Sequence, residues 1–450
     1  MKSTDISPTL SRRAFLRTTA FASTCLFSPA FAPRSLGAGS ANERLNLGFI
    51  GIGGRGRDNL GGLRGENVVA LCDVDQARAE RSLSEFPQAK VFRDFRVMLD
   101  KVGRELDGVV VSTPDHTHAP AVMQAIGLGK HVYCEKPLAH SLHEVRTITE
   151  AARAKGIATQ LGNQGHSTDS IRQFVEMIHA GAIGTVGEIH AWCSNSYRPR
   201  GFQVRPTETP ASPETLDWDL WLGPAPARPY HPAYLPGKWR GWVDFGTGII
   251  GDWVCHVVDP VFWALNLGSP TVVVAHAEEY DDPRVRAETY PRAARLQFDF
   301  PEREGRPPVR LHWYTGCKPE RPEELEPGRE LVNIGAIVVG DKGKIMYGSH
   351  GAAGAQLIPA ARNDAYTRPA ASLPRSKGHH EDWIEACKGA APASSNFNYG
   401  GPLTEVALLG VLAMRLNGRS LEWNAPALKI TNQPEAERFI KLDYRKGWTL

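Results

Sequence analysis

Gly51, Gly53 and Gly56 form a G-x-G-x-x-G pattern directly after the apolar run at residues 45–50, where a buried strand would give way to a helix. The spacing has a chemical reason. The first glycine permits a tight turn, the second lets backbone approach a pyrophosphate, and the third lets the helix pack close on the strand. Gly54 belongs to the same turn. The helix N-terminus adds unpaired N–H groups and positive potential for phosphates. A second apolar run at residues 68–71 ends at Asp73, 22 residues after Gly51. At that distance an acidic side chain holds both hydroxyls of an adenosine ribose. A carboxylate there repels a 2′-phosphate, so the pattern favours NAD over NADP, with Arg78 as the residue that would soften the preference.

A second set of residues lies far along the chain. Gly246-Thr247-Gly248-Ile249-Ile250-Gly251 leads into Asp252 and, four residues on, His256. On a helix opening after the glycines those two side chains share one face, with Asp259 near it. The competing role for Asp252 is to cap that helix.

The elements that must position these groups follow a βαβ rhythm. Strands are expected at residues 107–111, 131–134 and 158–161, with helices at 119–128 and 142–155. Ligands in such parallel sheets bind beyond the carboxyl ends of the strands. Gly51, Asp73, Thr113 and Lys136 all fall at such ends. The residue before a proline is held extended, so Lys136 in Glu135-Lys136-Pro137 is aimed from a strand tip.

Glu135-Lys136-Pro137 after a strand, Ser112-Thr113-Pro114 with His118 one strand earlier, and the opening glycines together resemble the glucose–fructose oxidoreductase / inositol dehydrogenase (Gfo/Idh/MocA) family. The resemblance covers nearly all of residues 43–450. It implies an α/β architecture: an N-terminal Rossmann dinucleotide-binding domain and a C-terminal α+β domain built on an open, mostly antiparallel sheet. It places Lys136 beside nicotinamide and substrate hydroxyl. It makes Asp252 and His256 the proton-handling partners of that lysine, since the family carries Asp-x-x-x-His at this point. Thr113, Pro114, His118 and Glu135 join the glycines and Asp73 as candidate cofactor contacts. Homo-oligomers are implied as well.

Asn163 and His166 sit where the chain would cross between domains and are expected to border the cleft. Residues 197–240 are long, proline-rich and aromatic, and loops of that length usually carry function. Five of the 11 tryptophans fall within residues 218–253. Most should be core, since aromatics are large apolar bodies first. Tyr197 and Trp242 are the candidates for stacking on a sugar. His379 and His380, adjacent in sequence, are expected to support the site from behind at most.

With 42% apolar and 22% charged residues, the 450-residue chain has the composition of a globular protein large enough for two domains. Its formal charge of +3 misleads, because Lys2, Arg12, Arg13, Arg17 and Arg34 face only Asp5 within residues 1–40, leaving the rest at −1. No basic patch calls for nucleic acid. The seven cysteines form no C-x-x-C pair, so buried free thiols are expected and no metal site.

Ser11-Arg12-Arg13-Ala14-Phe15-Leu16-Arg17 matches a twin-arginine export signal, followed by an apolar stretch over residues 18–32 too short and polar to span a bilayer permanently. Cleavage after Ala32 would be hindered by Pro33, and Ser40 or Ala41 are alternatives. The expected organisation is a signal and linker over residues 1–41, an NAD-binding domain over 42–165 and a substrate and oligomerisation domain over 166–450. The expected function is that of an exported, periplasmic NAD-dependent oxidoreductase acting on a sugar or polyol hydroxyl. Two rivals are a glycosidase working by transient oxidation and elimination, and a non-catalytic sugar-binding protein.

Overall fold

The computed structural model describes residues 44–450. The twin-arginine motif, its apolar run, the candidate cleavage positions and Cys25 lie outside them.

The first part of the described chain is a parallel sheet. Strands β1 (Asn46–Ile50), β2 (Asn67–Cys72), β3 (Lys90–Phe92), β4 (Gly108–Val111), β5 (His131–Glu135) and β6 (Thr159–Gly162) run in the order β3-β2-β1-β4-β5-β6. Every neighbouring pair is parallel. Central strands of such a sheet are covered on both faces, and β4 is accordingly buried along its whole length. Helices α1 (Arg55–Gly62), α2 (Gln76–Glu85), α3 (Phe95–Val102), α4 (His118–Gly127) and α5 (Leu142–Lys155) are the crossovers. Their starts are written locally. Asp75 and Asp94 accept backbone N–H bonds at the N-termini of α2 and α3, and Ser141 with Glu144 closes a capping box on α5. The chain order reverses at β1, which has β2 on one side and β4 on the other. A crevice opens at that switch point.

After helix α6 (Asp169–His179) the chain enters a nine-stranded sheet. It comprises β7 (Val186–Cys193), β8 (Val272–Ala277), β9 (Ala294–Phe300), β10 (Val309–Thr315), β11 (Ile334–Gly340), β12 (Gly343–Gly348), β13 (Ala353–Ile358), β14 (Ser420–Asn424) and β15 (Lys429–Ile430). All pairings are antiparallel except β7 with β10. One face is packed: Ala294, Leu296, Phe298 and Phe300 of β9 alternate inward at full burial. Helices α7 (Gly248–Val257) and α8 (Asp259–Leu265) precede β8, and α9 (His379–Cys387) and α10 (Phe397–Arg415) follow β13.

Helix α10 joins the two sheets. It packs on α7 and β8 on one side and on α5 on the other. Both carboxylate oxygens of Glu405 on α10 accept from one edge of the Arg146 guanidinium on α5, at 2.9 Å from Nε and 3.1 Å from Nη2. This clamp fixes α7, with Asp252 and His256, relative to the tips of β1, β4 and β5. Asn396 caps α10, and Pro402, ordinarily a helix breaker, is accommodated within its first two turns. No single helix among the described residues is long and apolar enough to cross a membrane. The bent pair α7–α8 passes that test on length and composition together, and all but two of its residues are buried in this core.

Candidate active site

A cleft of about 480 Å³ opens where the strand tips of the first sheet meet α7. At its floor Gly51 has φ 78° and donates its N–H to Cys72 O at 2.8 Å, so β1 turns while still paired to β2. A Cβ on Gly56 would stand 1.8 Å from Gly51 O, so only glycine lets α1 start this close to the strand. The Asp73 carboxylate ties the same turn down, accepting N–H bonds from Ile52 at 2.9 Å and Asp75 at 3.0 Å. Burial pushes the Asp73 carboxyl up, and those backbone bonds oppose the shift. At the tip of β4, the buried Thr113 Oγ1 has no hydrogen-bond partner among the described residues. A turn that admits no Cβ at Gly51 or Gly56, an acid at the next strand and an orphaned hydroxyl between them fit a bound dinucleotide. Gly51, Gly53, Gly54, Asp73, Thr113 and Pro114 would hold it, with Gly56 packed behind them.

The other end of the cleft is polar and charged. Lys136, from the tip of β5, forms an ion pair with Asp252 of α7 and also donates to the Asp252 carbonyl at 2.9 Å. Arg240 Nε lies 3.1 Å from the same Asp252 oxygen, and Tyr197 OH donates to the other at 2.5 Å. Burial alone would raise the Asp252 carboxyl, but Lys136 and Arg240 with these hydrogen bonds bring it well below the usual carboxylate range. It is therefore an anion between two cations. His256, one helical turn on, is buried, and its Nδ1 lacks a partner among the described residues. Burial first, then Lys136 and His350, lower its proton affinity far below that of a free imidazole, so the ring is neutral at physiological pH.

Glu135 turns away from the ion pair. Its Oε1 accepts from Asn59 and Gln164, both at 2.8 Å, and His380 Nε2 contacts Asn59 Oδ1 at 3.0 Å behind them. Burial raises the Glu135 carboxyl, opposed by Asn59 and by Lys136.

Several sequence-predicted contacts are not brought to the cleft. Asn163 and His166 are buried in a separate network: Asn163 Nδ2 donates to Asp259 Oδ2 at 3.2 Å, His166 Nδ1 lies 2.9 Å from Asp259 Oδ1, and Tyr399 OH donates to that oxygen at 2.5 Å. His166 also stacks on Trp263 at 4.7 Å, so it anchors α8 and has no face left for a ligand. The crossing between sheets is covered by α9 and α10, and burial there consumes its polar groups. His118 is held by two carbonyls, Pro137 O and Thr113 O, each at 2.8 Å, and braces the β4 and β5 tips from behind. Trp242 is fully buried with its Nε1 donating to Ala233 O at 2.8 Å. The tryptophans that reach the cleft are Trp221, Trp239 and Trp253.

Sequence reasoning missed His350, Arg240, Arg55 and Gln164, all of which line the cleft. His350 projects from the β12–β13 turn and stacks on His256, ring centroids 4.3 Å apart. The turn is unusual: His350, Gly351 and Ala352 have φ values of 58°, 81° and 55°. Non-glycine residues in that region are held there by their surroundings. Here Gly165 presses against the His350 backbone and Ser170 Oγ donates to Gly351 O at 2.7 Å. A short polar turn between strands carries no signal of this. Arg240 was signalled only by its tryptophan neighbours.

Residues 45–163 match the family model described as oxidoreductase family, NAD-binding Rossmann fold, and residues 200–292 match that of the same family's C-terminal alpha/beta domain. The chain belongs to the Gfo/Idh/MocA oxidoreductase family. Its first sheet is thus an NAD-binding Rossmann domain. Among relatives, inositol 2-dehydrogenase 1 of Saccharopolyspora erythraea is 32% identical over 186 residues, 40% of this chain and 54% of the relative. Inositol 2-dehydrogenase of Gluconacetobacter diazotrophicus is 31% identical over 184 residues, again 40% and 54%. The match spans about half the length of these relatives. Two solved structures share the fold. An NAD-binding protein from Listeria innocua has a TM-score of 0.58 at 14% identity, covering 84% of this chain and 97% of that one. An aldose-aldose oxidoreductase from Caulobacter crescentus complexed with glycerol has a TM-score of 0.52 at 16% identity, covering 85% and 100%.

Proposed function

We propose that this protein is an exported NAD-dependent oxidoreductase acting on a carbinol of a sugar or polyol. The observation that carries the reading is the meeting of Lys136, from the Rossmann domain, with Asp252 and His256, from α7, at one end of a cleft whose other end is the glycine turn and Asp73. The acidic ribose contact favours NAD over NADP. Bound in the cleft, NAD supplies the acceptor for the hydride of the carbinol carbon. The chain's own residues manage the proton. Lys136, oriented by its ion pair with Asp252, donates a hydrogen bond to the hydroxyl oxygen and stabilises negative charge developing there. His256, kept neutral by burial, takes the hydroxyl proton. Tyr197 and Arg240 hold the Asp252 carboxylate so that it orients Lys136.

The sugar or polyol class is supported by the names of the sequence relatives and by Tyr197 and Trp253 at the cleft wall, whose rings suit the C–H faces of a sugar. Export is supported by the Ser11–Arg17 motif, a route that suits a protein folded around its nucleotide before it crosses the membrane. Free NAD is scarce outside the cytoplasm, so tight retention of the nucleotide belongs to the same reading.

The deciding experiment is to denature the purified protein, identify the nucleotide released, and screen aldoses, inositols and glycosides by NADH fluorescence. NAD in the supernatant and NADH formation with a polyol are expected. A preparation without nucleotide that also fails to bind added NAD would sink the reading. Fractionation of cells carrying Arg12→Lys with Arg13→Lys should find the protein retained in the cytoplasm, and unaltered export would refute the export route.

A further inference from the structure

Arg240 has more donors than its neighbours use. Its guanidinium lies over the Trp239 ring, 4.2 Å from the centroid, and is partly buried in the cleft wall. A guanidinium carries five N–H donors in a planar fork. Only Nε is engaged, by Asp252 Oδ1 at 3.1 Å, and neither terminal amine has a partner among the described residues. Neither amine is sealed off in the protein, since neither is among the buried unpartnered atoms. The other cations at this end are placed differently. Lys136 gives two of its three donors to Asp252 and keeps the third for the reacting hydroxyl, and Arg55 pairs with Asp58 at 3.3 Å on the solvent-exposed rim. The nearby acids are committed: Glu135 to Asn59 and Gln164, Asp115 to the backbone and hydroxyl of Thr247. Beside Lys136 and Asp252, the two-pronged edge of the Arg240 guanidinium is left unpartnered, oriented by Trp239 and by Asp252.

Resting on the reading above, we propose that the substrate is a sugar acid, a uronate or aldonate, whose carboxylate is held by the two terminal amines of Arg240 while the reacting hydroxyl faces Lys136 and His256. The planar fork matches a carboxylate in shape, and both partners are charged, which makes such a pair the strong kind of hydrogen bond. A neutral sugar offers hydroxyls that leave most of this donor capacity unmatched. A side chain packed on Trp239 and fixed by Asp252 also loses little further freedom on binding. Arg240 is therefore a specificity-determining residue as well as a holder of Asp252.

The test uses the full protein as isolated and two readouts. Tryptophan fluorescence, reported by Trp239 and Trp253 in the cleft, measures binding, and NADH fluorescence measures turnover. The probes are paired: glucuronate with glucose, galacturonate with galactose, and gluconate with sorbitol, plus glucose 6-phosphate. At least one acid is expected to bind about tenfold to a hundredfold tighter than its neutral partner. Arg240→Gln should abolish that discrimination while nucleotide content stays at the wild-type level, and Arg240→Lys should restore only part of it. Equal binding of acids and neutral partners, no binding of any acid, preference for the phosphate, or discrimination that survives in Arg240→Gln would each overturn the proposal. NADH formation from neutral polyols without acid preference would defeat it while leaving the oxidoreductase reading intact. Acid-selective binding with no nucleotide and no NADH would do the reverse.

Discussion

Lys136, Asp252 and His256 divide the proton chemistry because their surroundings push them apart. Asp252 is held anionic by two cations, and His256 is held neutral by burial beneath Lys136 and His350. Replacing Lys136 by Met removes the donor to the developing negative charge, so turnover should fall by roughly 10² to 10⁴ while nucleotide content is unchanged. Retained activity in that variant would refute the assignment. The His256 ring gains a proton only well below its ordinary value of 6.5, so the acidic limb of kcat/KM should lie below that pH. His350 disfavours the protonated form of His256, so His350→Phe, which keeps a stacked ring, should move the acidic limb to higher pH. A limb that does not move would mean that His256 is not the titrating group.

Two turns, at the level of elements, decide whether those side chains meet. The β1–α1 turn admits no Cβ at Gly56, because Gly51 O would be 1.8 Å away. Gly56→Ala should therefore strip the purified protein of nucleotide, measured by absorbance of the denatured supernatant. The β12–β13 turn is seated against Gly165, where a Cβ would stand 2.5 Å from the His350 carbonyl carbon. Gly165→Ala should displace His350 and cost about 1–3 kcal/mol of stability by overpacking. Its effect on kinetics should exceed its effect on nucleotide content. An unchanged acidic limb and an unchanged melting temperature together would show that the turn tolerates the change.

At the scale of the whole molecule, the two sheets are joined through buried polar groups as well as through α10. His116 lies between Phe245 O and Trp221 O, at 3.1 and 3.0 Å, and its single N–H donates to one of them, and His379 sits between Ser167 Oγ and Leu161 O, both at 2.8 Å. Burial lowers each imidazole to about 3 from 6.5. The unfolded chain therefore binds these protons first as pH falls, and stability present in full above 6.5 is lost progressively toward 3. Each histidine contributes a slope of up to about 1.4 kcal/mol per pH unit in that window. His379→Gln should be less stable at neutral pH and show a flatter decline on acidification, measured by urea midpoints across the range. Parallel declines in the two proteins would exclude His379 as a source of the acid sensitivity.

The local patterns were sufficient for the parallel sheet, the glycine turn and the Asp252–His256 pairing. Apolar runs closed by Gly51, Asp73, Thr113 and Lys136 mark strand ends, and a separation of four puts two side chains on one helical face. These depend on backbone geometry that neighbours in sequence dictate. Burial does not. Asn163, His166, His118 and Trp242 look polar or sugar-facing in sequence, yet the packing of α8, α9 and α10 and of the 197–240 segment turns them inward. Arg240 and His350 come from segments with no periodic pattern, and only the meeting of α7 with the β5 tip and the β12–β13 turn brings them over Asp252 and His256. Contact between residues separated by a hundred positions is a property of the packed layers, and no short window of sequence encodes it.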